Sequence, residues 1–269
     1  MDLVTTDWLE NNLNNVKIFD ASWHMPSTNR NAKKEYNERH IKGAFFWNID
    51  EHSDKSSPYP HMMANSNYWN KMIMSYGIKN EDHVIVYDFS DLYSSCRLWF
   101  ALKYFGHEKV SVLIGGMKKW LKEKKETSDK IEKIEKVDNY KIKENADWIK
   151  AKSDVDLNIE NNYFQMVDAR SRERFEGKVD EPRSDLKKGC IIGSKNIPYK
   201  KCINPETNTF KTKPELIEIF NQNKVDTSKP IVFTCGSGVT ACVLGMAYSL
   251  ISGKNAVIYD GSWSEYGKK

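Results

Sequence analysis

The residues best placed to do chemistry lie in one short run, "IVFTCGSGVTACVLGMAYSLI", which begins at Ile231. Its apolar, β-branched start, Ile231 to Thr234, has strand character and stops at Cys235. Gly236, Ser237 and Gly238 follow, and beyond them apolar residues return with helical spacing and no proline. The pattern predicts a strand, a tight loop and a helix. In such a loop successive backbone N–H groups converge on one point, and Gly236 and Gly238 permit the positive φ that this needs. Together with the helix N-terminus those donors stabilise a thiolate, the reactive form of cysteine. A cysteine that only fills space behaves as a small hydrophobe and calls for no glycines behind it.

Two other chemistries fit parts of the same run. "GSGVTA" matches a dinucleotide-binding fingerprint, and Asp260 ends a later apolar run at a suitable distance. That unit should open a Rossmann sheet, yet only nine residues follow Asp260. A cysteine phosphatase also seats its nucleophile between strand and helix, but its CxxxxxR loop needs an arginine where this chain has Ala241.

The elements that must position the loop recur along the chain. "TTDWLENN" answers "NADWIKAK", "VKIFDAS" answers "FQMVDAR", "HIKGAFFWNID" answers "CIIGSKNIPY", "HVIVYDFS" answers "PIVFTCGS", and "VSVLIGGMKKW" answers "NAVIYDGSWSEY". The period of roughly 140 to 150 residues suits duplicated domains and is too long for a solenoid. Strands alternating with helices, some of them unbroken apolar runs, predict an α/β fold with two parallel sheets, each covered by helices on both faces. The expected division is a first domain over 1–121, a charged, solvated linker over 122–138 and a second domain over 139–269. Only the second copy carries the loop. Where it has "TCGSGVTAC", the first has "YDFSDLYSSC", acidic and without glycine.

Composition narrows the setting. The chain has 269 residues, 39% of them hydrophobic, with 41 basic against 37 acidic side chains and a formal charge of +4. Such a mild, dispersed excess implies no nucleic-acid partner. No apolar run approaches the length of a membrane span, and the N-terminus "MDLVTTDWLENN" is acidic where a targeting peptide would be basic. Five widely spaced cysteines, an odd number, suggest free thiols in a reducing compartment, here the cytoplasm. No CxxC, HExxH or clustered His/Cys spacing calls for a metal, and no cofactor is expected.

With these residues in place, the two-copy layout, "CGSGVTAC", the upstream "EPR" and the closing "AVIYDGSWSEY" resemble the rhodanese superfamily, and within it the two-domain 3-mercaptopyruvate sulfurtransferases. The likeness spans nearly the whole chain, although Lys42 and Cys190 stand where the family commonly has proline and histidine. It implies two tandem rhodanese-like domains, the first without an active cysteine. It implies that Cys235 accepts sulfur from a small-molecule donor, holds it as a persulfide, and passes it to a thiol such as thioredoxin or a small thiol, or to cyanide. Backbone N–H groups from Gly236 through Ser237, Gly238 and Val239 to Thr240 would then surround the sulfur. Relatives that favour thiosulfate carry Arg and Lys after the cysteine, whereas Gly236 and Ser237 match those that favour mercaptopyruvate. The donor carboxylate needs a partner, and "RSRERFEGKVDEPRSD" supplies guanidinium forks, matched to the family at Arg174 and Arg183. By the same match Asp50 and His61 form a relay with Ser237 that supplies a proton to the leaving enolate. A thiosulfate sulfurtransferase, or a persulfide carrier loaded by a partner protein, is the alternative reading.

Overall fold

A computed structural model describes residues 2–269. The chain forms two compact units. In the first, β1 (Leu3–Val4), β2 (Lys17–Asp20), β3 (Ala44–Phe46), β4 (Val84–Tyr87) and β5 (Val110–Leu113) build a parallel sheet in the order β1-β5-β4-β2-β3. In the second, β6 (Ile149–Lys150), β7 (Gln165–Asp168), β8 (Lys195–Asn196), β9 (Ile231–Thr234) and β10 (Ile258–Tyr259) are parallel in the order β6-β10-β9-β7-β8. Both sheets therefore read first, fifth, fourth, second, third. The α/β duplication expected from the repeats is the architecture observed.

The unbroken apolar runs become the central strands because both of their faces are covered. Every residue of β4 and of β9 is buried. Ile18, Ile85, Tyr87, Met117 and Trp120 join the first core, and Met166, Val232, Tyr259 and Trp263 the second. The helix Ala241–Ser252 that follows the cysteine loop carries no charged residue and is buried along most of its length. It ends where Gly253 turns left-handed at φ 70°. Gly245 sits in its middle, where glycine costs about 1 kcal/mol relative to alanine. A Cβ there would lie 2.7 Å from that of Ala256, so the close approach of helix and chain requires the glycine.

The two units are not consecutive stretches of chain. Residues 55–62 belong to the second unit and residues 206–209 to the first. The charged stretch 122–138 is mostly exposed but fastened to the first unit. Thr127–Ser128 pairs antiparallel with His40–Ile41, the ring of His40 bonds the carbonyl of Lys130, and Val137 N–H donates to Met74. Just beyond it, buried Tyr140 meets Nδ1 of His107 at 2.9 Å.

In the first unit Asp88 follows β4 at the place that Cys235 takes after β9. Its carboxylate accepts from Ser90 N–H and Oγ and from Ser95 N–H, and burial pushes its pKa up. Asp20, at the end of β2, is also fully enclosed. Burial raises its carboxyl to about 6, against the lowering effect of its bonds from Ser22. A carboxyl raised on folding contributes most below its unfolded pKa, and that contribution is lost as pH rises through about 6. Asp20→Asn should therefore match the parent protein in denaturant melts below pH ~4. Above pH ~6.5 it should be the more stable of the two by up to about 3 kcal/mol.

Candidate active site

The end of β9 delivers Cys235 to the base of the loop, where it is 2% exposed. Five backbone and side-chain bonds to the segment after β10 fix the loop from outside. Trp263 N–H donates to the carbonyl of Cys235 at 3.0 Å, and Ser264 donates to the carbonyl of Gly236 through both N–H, at 2.8 Å, and Oγ, at 2.5 Å. Ser262 Oγ accepts from Cys235 N–H at 3.2 Å and from Gly238 N–H at 3.1 Å, and donates to the carbonyl of Tyr259 at 2.9 Å. These bonds occupy the carbonyls of Cys235 and Gly236 and leave other donors open. Among the described residues none accepts from the backbone N–H of Gly236, Ser237, Val239 or Thr240. Open donors ahead of the helix Ala241–Ser252 make the loop an anion cradle.

The glycines do different work from that expected. Gly238 has φ 78°, the left-handed value the sequence suggests, but Gly236 is not in that region. A Cβ on Gly236 would lie 3.3 Å from Nη2 of Arg174, so glycine here makes room for a guanidinium. Gly238 N–H is taken by Ser262 and does not belong to the open set.

Of the expected arginines, Arg174 lies against the loop and Arg183 bonds the segment that holds it. Arg183 Nη1 donates to Ser264 Oγ at 2.8 Å, the same hydroxyl that donates to Gly236. Arg174 leaves the short helix Arg172–Phe175 and is held by Glu181, whose carboxylate takes Nε at 3.2 Å and Nη2 at 2.5 Å. The Nε edge of the fork is thus already engaged, and a carboxylate ligand is left the Nη1 side. Behind Glu181 lies Arg170, with no side-chain exposure. It bonds Asp168 through Nε and Nη2, Glu181 through Nη1 and the carbonyl of Gly189, and its guanidinium lies 4.5 Å from the ring centre of Trp263. Two buried carboxylates and one buried guanidinium compensate each other and steady Arg174.

His61 comes from the first half of the sequence but lies within the second unit, 4% exposed, with Nδ1 2.9 Å from Ser237 Oγ. Its φ of 62° is unusual for a non-glycine residue. Asp50 is in the first unit, on the short helix Ile49–His52, where its carboxylate accepts from Trp23 Nε1 at 2.8 Å. Val239 and Thr240 are buried at the helix entrance. Of the other thiols, burial pushes Cys202 up to about 12 and raises Cys190, while Cys242 donates to the carbonyl of Gly238. Among the described residues no group of His, Cys, Asp and Glu could hold a metal ion.

Sequence reasoning missed Ser262, Ser264, Glu181 and Arg170. A signal for Ser262 was present, since the aligned repeats put it opposite Gly116. Glu181 is the acid of the quoted "EPR", but nothing in its spacing distinguishes its role from that of the other acids of that loop.

Comparison with known proteins agrees with this arrangement. A family model, the Rhodanese-like domain, matches residues 5–123 and again 151–269. The 3-mercaptopyruvate sulfurtransferase of Mus musculus is 40% identical over 253 residues, which cover 93% of this chain and 84% of that protein. The thiosulfate sulfurtransferase of Rattus norvegicus is 38% identical over 277 residues, 99% of this chain and 92% of that protein. The crystal structure of SseA from Escherichia coli, described as a 3-mercaptopyruvate sulfotransferase, superposes with a TM-score of 0.84 at 35% identity, covering 98% of this chain and 99% of that one. Two matched copies, one strand order in both units and full-length relatives at this identity make the chain a member of the rhodanese-like domain family.

Proposed function

We propose that this protein is a sulfurtransferase that moves sulfur from 3-mercaptopyruvate, through a persulfide on Cys235, to a thiol acceptor or cyanide. The observation that carries the reading is the cradle itself, a buried cysteine beside backbone donors with no acceptor among the described residues, with one guanidinium lying against Gly236 and another bonded to Ser264. The relatives named 3-mercaptopyruvate sulfurtransferase support the choice of donor. All five cysteines are free thiols, which suits a reducing compartment such as the cytoplasm.

In this reading the Cys235 thiolate attacks the donor sulfur. A sulfur–sulfur bond forms, the carbon–sulfur bond breaks, and its electron pair goes to carbon, giving the enolate of pyruvate. Arg174 and Arg183 hold the donor carboxylate, with Arg174 acting through the side that Glu181 leaves open. Ser237, bonded to His61, passes a proton to the enolate carbon and pyruvate leaves. Asp50 enters as the third member of that relay on the sequence resemblance alone. An acceptor thiolate then attacks the outer sulfur and returns Cys235 to its starting state.

Thiosulfate is the second candidate donor, supported by relatives of nearly equal identity. As a dianion it gains most from cations beside the nucleophile, and positions 236 and 237 are glycine and serine. Steady-state assays with the two donors side by side should give a kcat/KM at least about tenfold higher for mercaptopyruvate, roughly 1.4 kcal/mol in transition-state binding. Equal values would refute the charge argument. Arg174→Ala or Arg183→Ala should each lower that kcat/KM about ten- to a hundredfold, chiefly through KM, by removing a charge-assisted contact of roughly 1.5 to 3 kcal/mol.

The nucleophile has its own check. After incubation with donor, mass spectrometry should find one added sulfur, about 32 Da, on the peptide containing Cys235. Cys235→Ser should abolish turnover. Substantial activity in that variant, or an adduct on Cys242, would remove Cys235 from the reaction.

A further inference from the structure

The two copies of the domain place different residues at one backbone position, and the difference points to a role for Ser262. In the first unit the chain leaves β5 and reaches Gly116 at φ 54°; the next N–H, of Met117, donates to the carbonyl of Asp88 at 3.0 Å. In the second it leaves β10 and reaches Ser262 at φ 50°; the next N–H, of Trp263, donates to the carbonyl of Cys235 at 3.0 Å. The turn is the same, and both residues adopt the left-handed region. Glycine enters that region freely, and a serine does so at a cost in free energy. At Gly116 there is no room for a side chain, because a Cβ would lie 2.5 Å from the carbonyl oxygen of Asp88. The second copy has both opened the space and accepted the strain.

What it gains is a single hydroxyl. Ser262 is fully buried, and its oxygen uses its whole capacity, two acceptor positions for Cys235 N–H and Gly238 N–H and one donor to Tyr259. Two amides three residues apart are thereby drawn to one atom, which bends the chain between and beyond them. The amides of Gly236, Ser237, Val239 and Thr240, between and beyond those two, have no acceptor among the described residues.

We propose that Ser262 is a positioning residue for the nucleophile: its hydroxyl gathers the amides of Cys235 and Gly238 and so sets the arc of open N–H groups that faces the sulfur. This rests on the reading of Cys235 as the sulfur-accepting thiol. Ser262 touches neither donor nor acceptor and acts through the loop.

Ser262→Gly separates this role from support of the fold, because it installs the residue that the first copy already uses at the same φ. For this variant we expect a melting temperature close to that of the parent, kcat for mercaptopyruvate lower by about tenfold or more, and KM within about twofold, since neither arginine is touched. The rate of Cys235 alkylation by iodoacetamide at neutral pH should fall in parallel, a readout that needs no sulfur transfer. Ser262→Ala should lose kcat equally and melt lower than Ser262→Gly, having the strain without the hydroxyl. Ser262→Thr, with a hydroxyl but a bulkier Cβ, should melt lowest and regain part of kcat. Unchanged kcat and alkylation in Ser262→Gly, beside an inactive Cys235→Ser, would overturn the positioning role and leave the nucleophile in place. A collapse of the melting temperature in Ser262→Gly would also overturn it, by making the hydroxyl a prop of the fold. Activity in Cys235→Ser would overturn both readings.

Discussion

An arc of backbone donors must be kept away from every acceptor in the protein, next to a buried thiol, and the second unit is organised around that constraint. A buried N–H without a partner costs about 1 to 3 kcal/mol, so an ordinary loop would rotate until its donors found carbonyls. Here the carbonyls are already occupied. Trp263 and Ser264 hold those of Cys235 and Gly236, and the Ser262 hydroxyl holds two of the amides. The donors that remain are left to an acceptor that arrives from outside or forms on the sulfur, and a negative one gains most. The closing segment of the chain, remote in sequence, is thus half of the active loop.

Charge around the cradle is arranged in a second layer by the same logic. A guanidinium beside Gly236 is useful only if it is held still, and Arg174 is held by a carboxylate that is itself locked by Arg170 and, through it, Asp168. A buried ion chain of this kind adds little net stability compared with apolar packing, but loss of one member typically costs 3 to 5 kcal/mol. Its value lies in direction. The first copy has Asp20 at the matching strand end and Ser22 two residues on, with no guanidinium there, and burial pushes the carboxyl up to about 6. Likewise the carboxylate of Asp88 occupies its own loop and accepts the N–H groups of Ser90 and Ser95. One copy fills the place with its own carboxyl group; the other is built to wait for an external anion.

Much of this was legible in the residues. The repeats set the two sheets, and the run from Ile231 to Ser252 gave strand, loop and helix because period, glycine and the absence of proline all agree there. The reason for Gly236 was not legible, since a glycine needed for space and one needed for positive φ look alike in sequence. The role of Glu181, though the residue stands in the quoted "EPR", was invisible for a related reason. Acids in a charged loop are usually solvated, and only the fold reveals which one is enclosed between two arginines. Residues 122–138 have the composition of a free tether, but their strand pairing and backbone bonds to the first unit come from scattered, unpatterned positions.

The loop Lys55–Met62, encoded in the first half of the gene, counts structurally with the second unit, and Glu206–Thr209 is exchanged in the opposite direction. A cut in the coding sequence between the two repeats therefore does not fall between the two folded bodies. Each half, expressed alone, would lack a piece of its own surface, and the second would also lack the imidazole that bonds Ser237. Once such an exchange was in place, recombination could no longer trade one repeat for a foreign copy without breaking both. A duplicate without the thiol could then persist, retained as the carrier of residues that its neighbour does not encode.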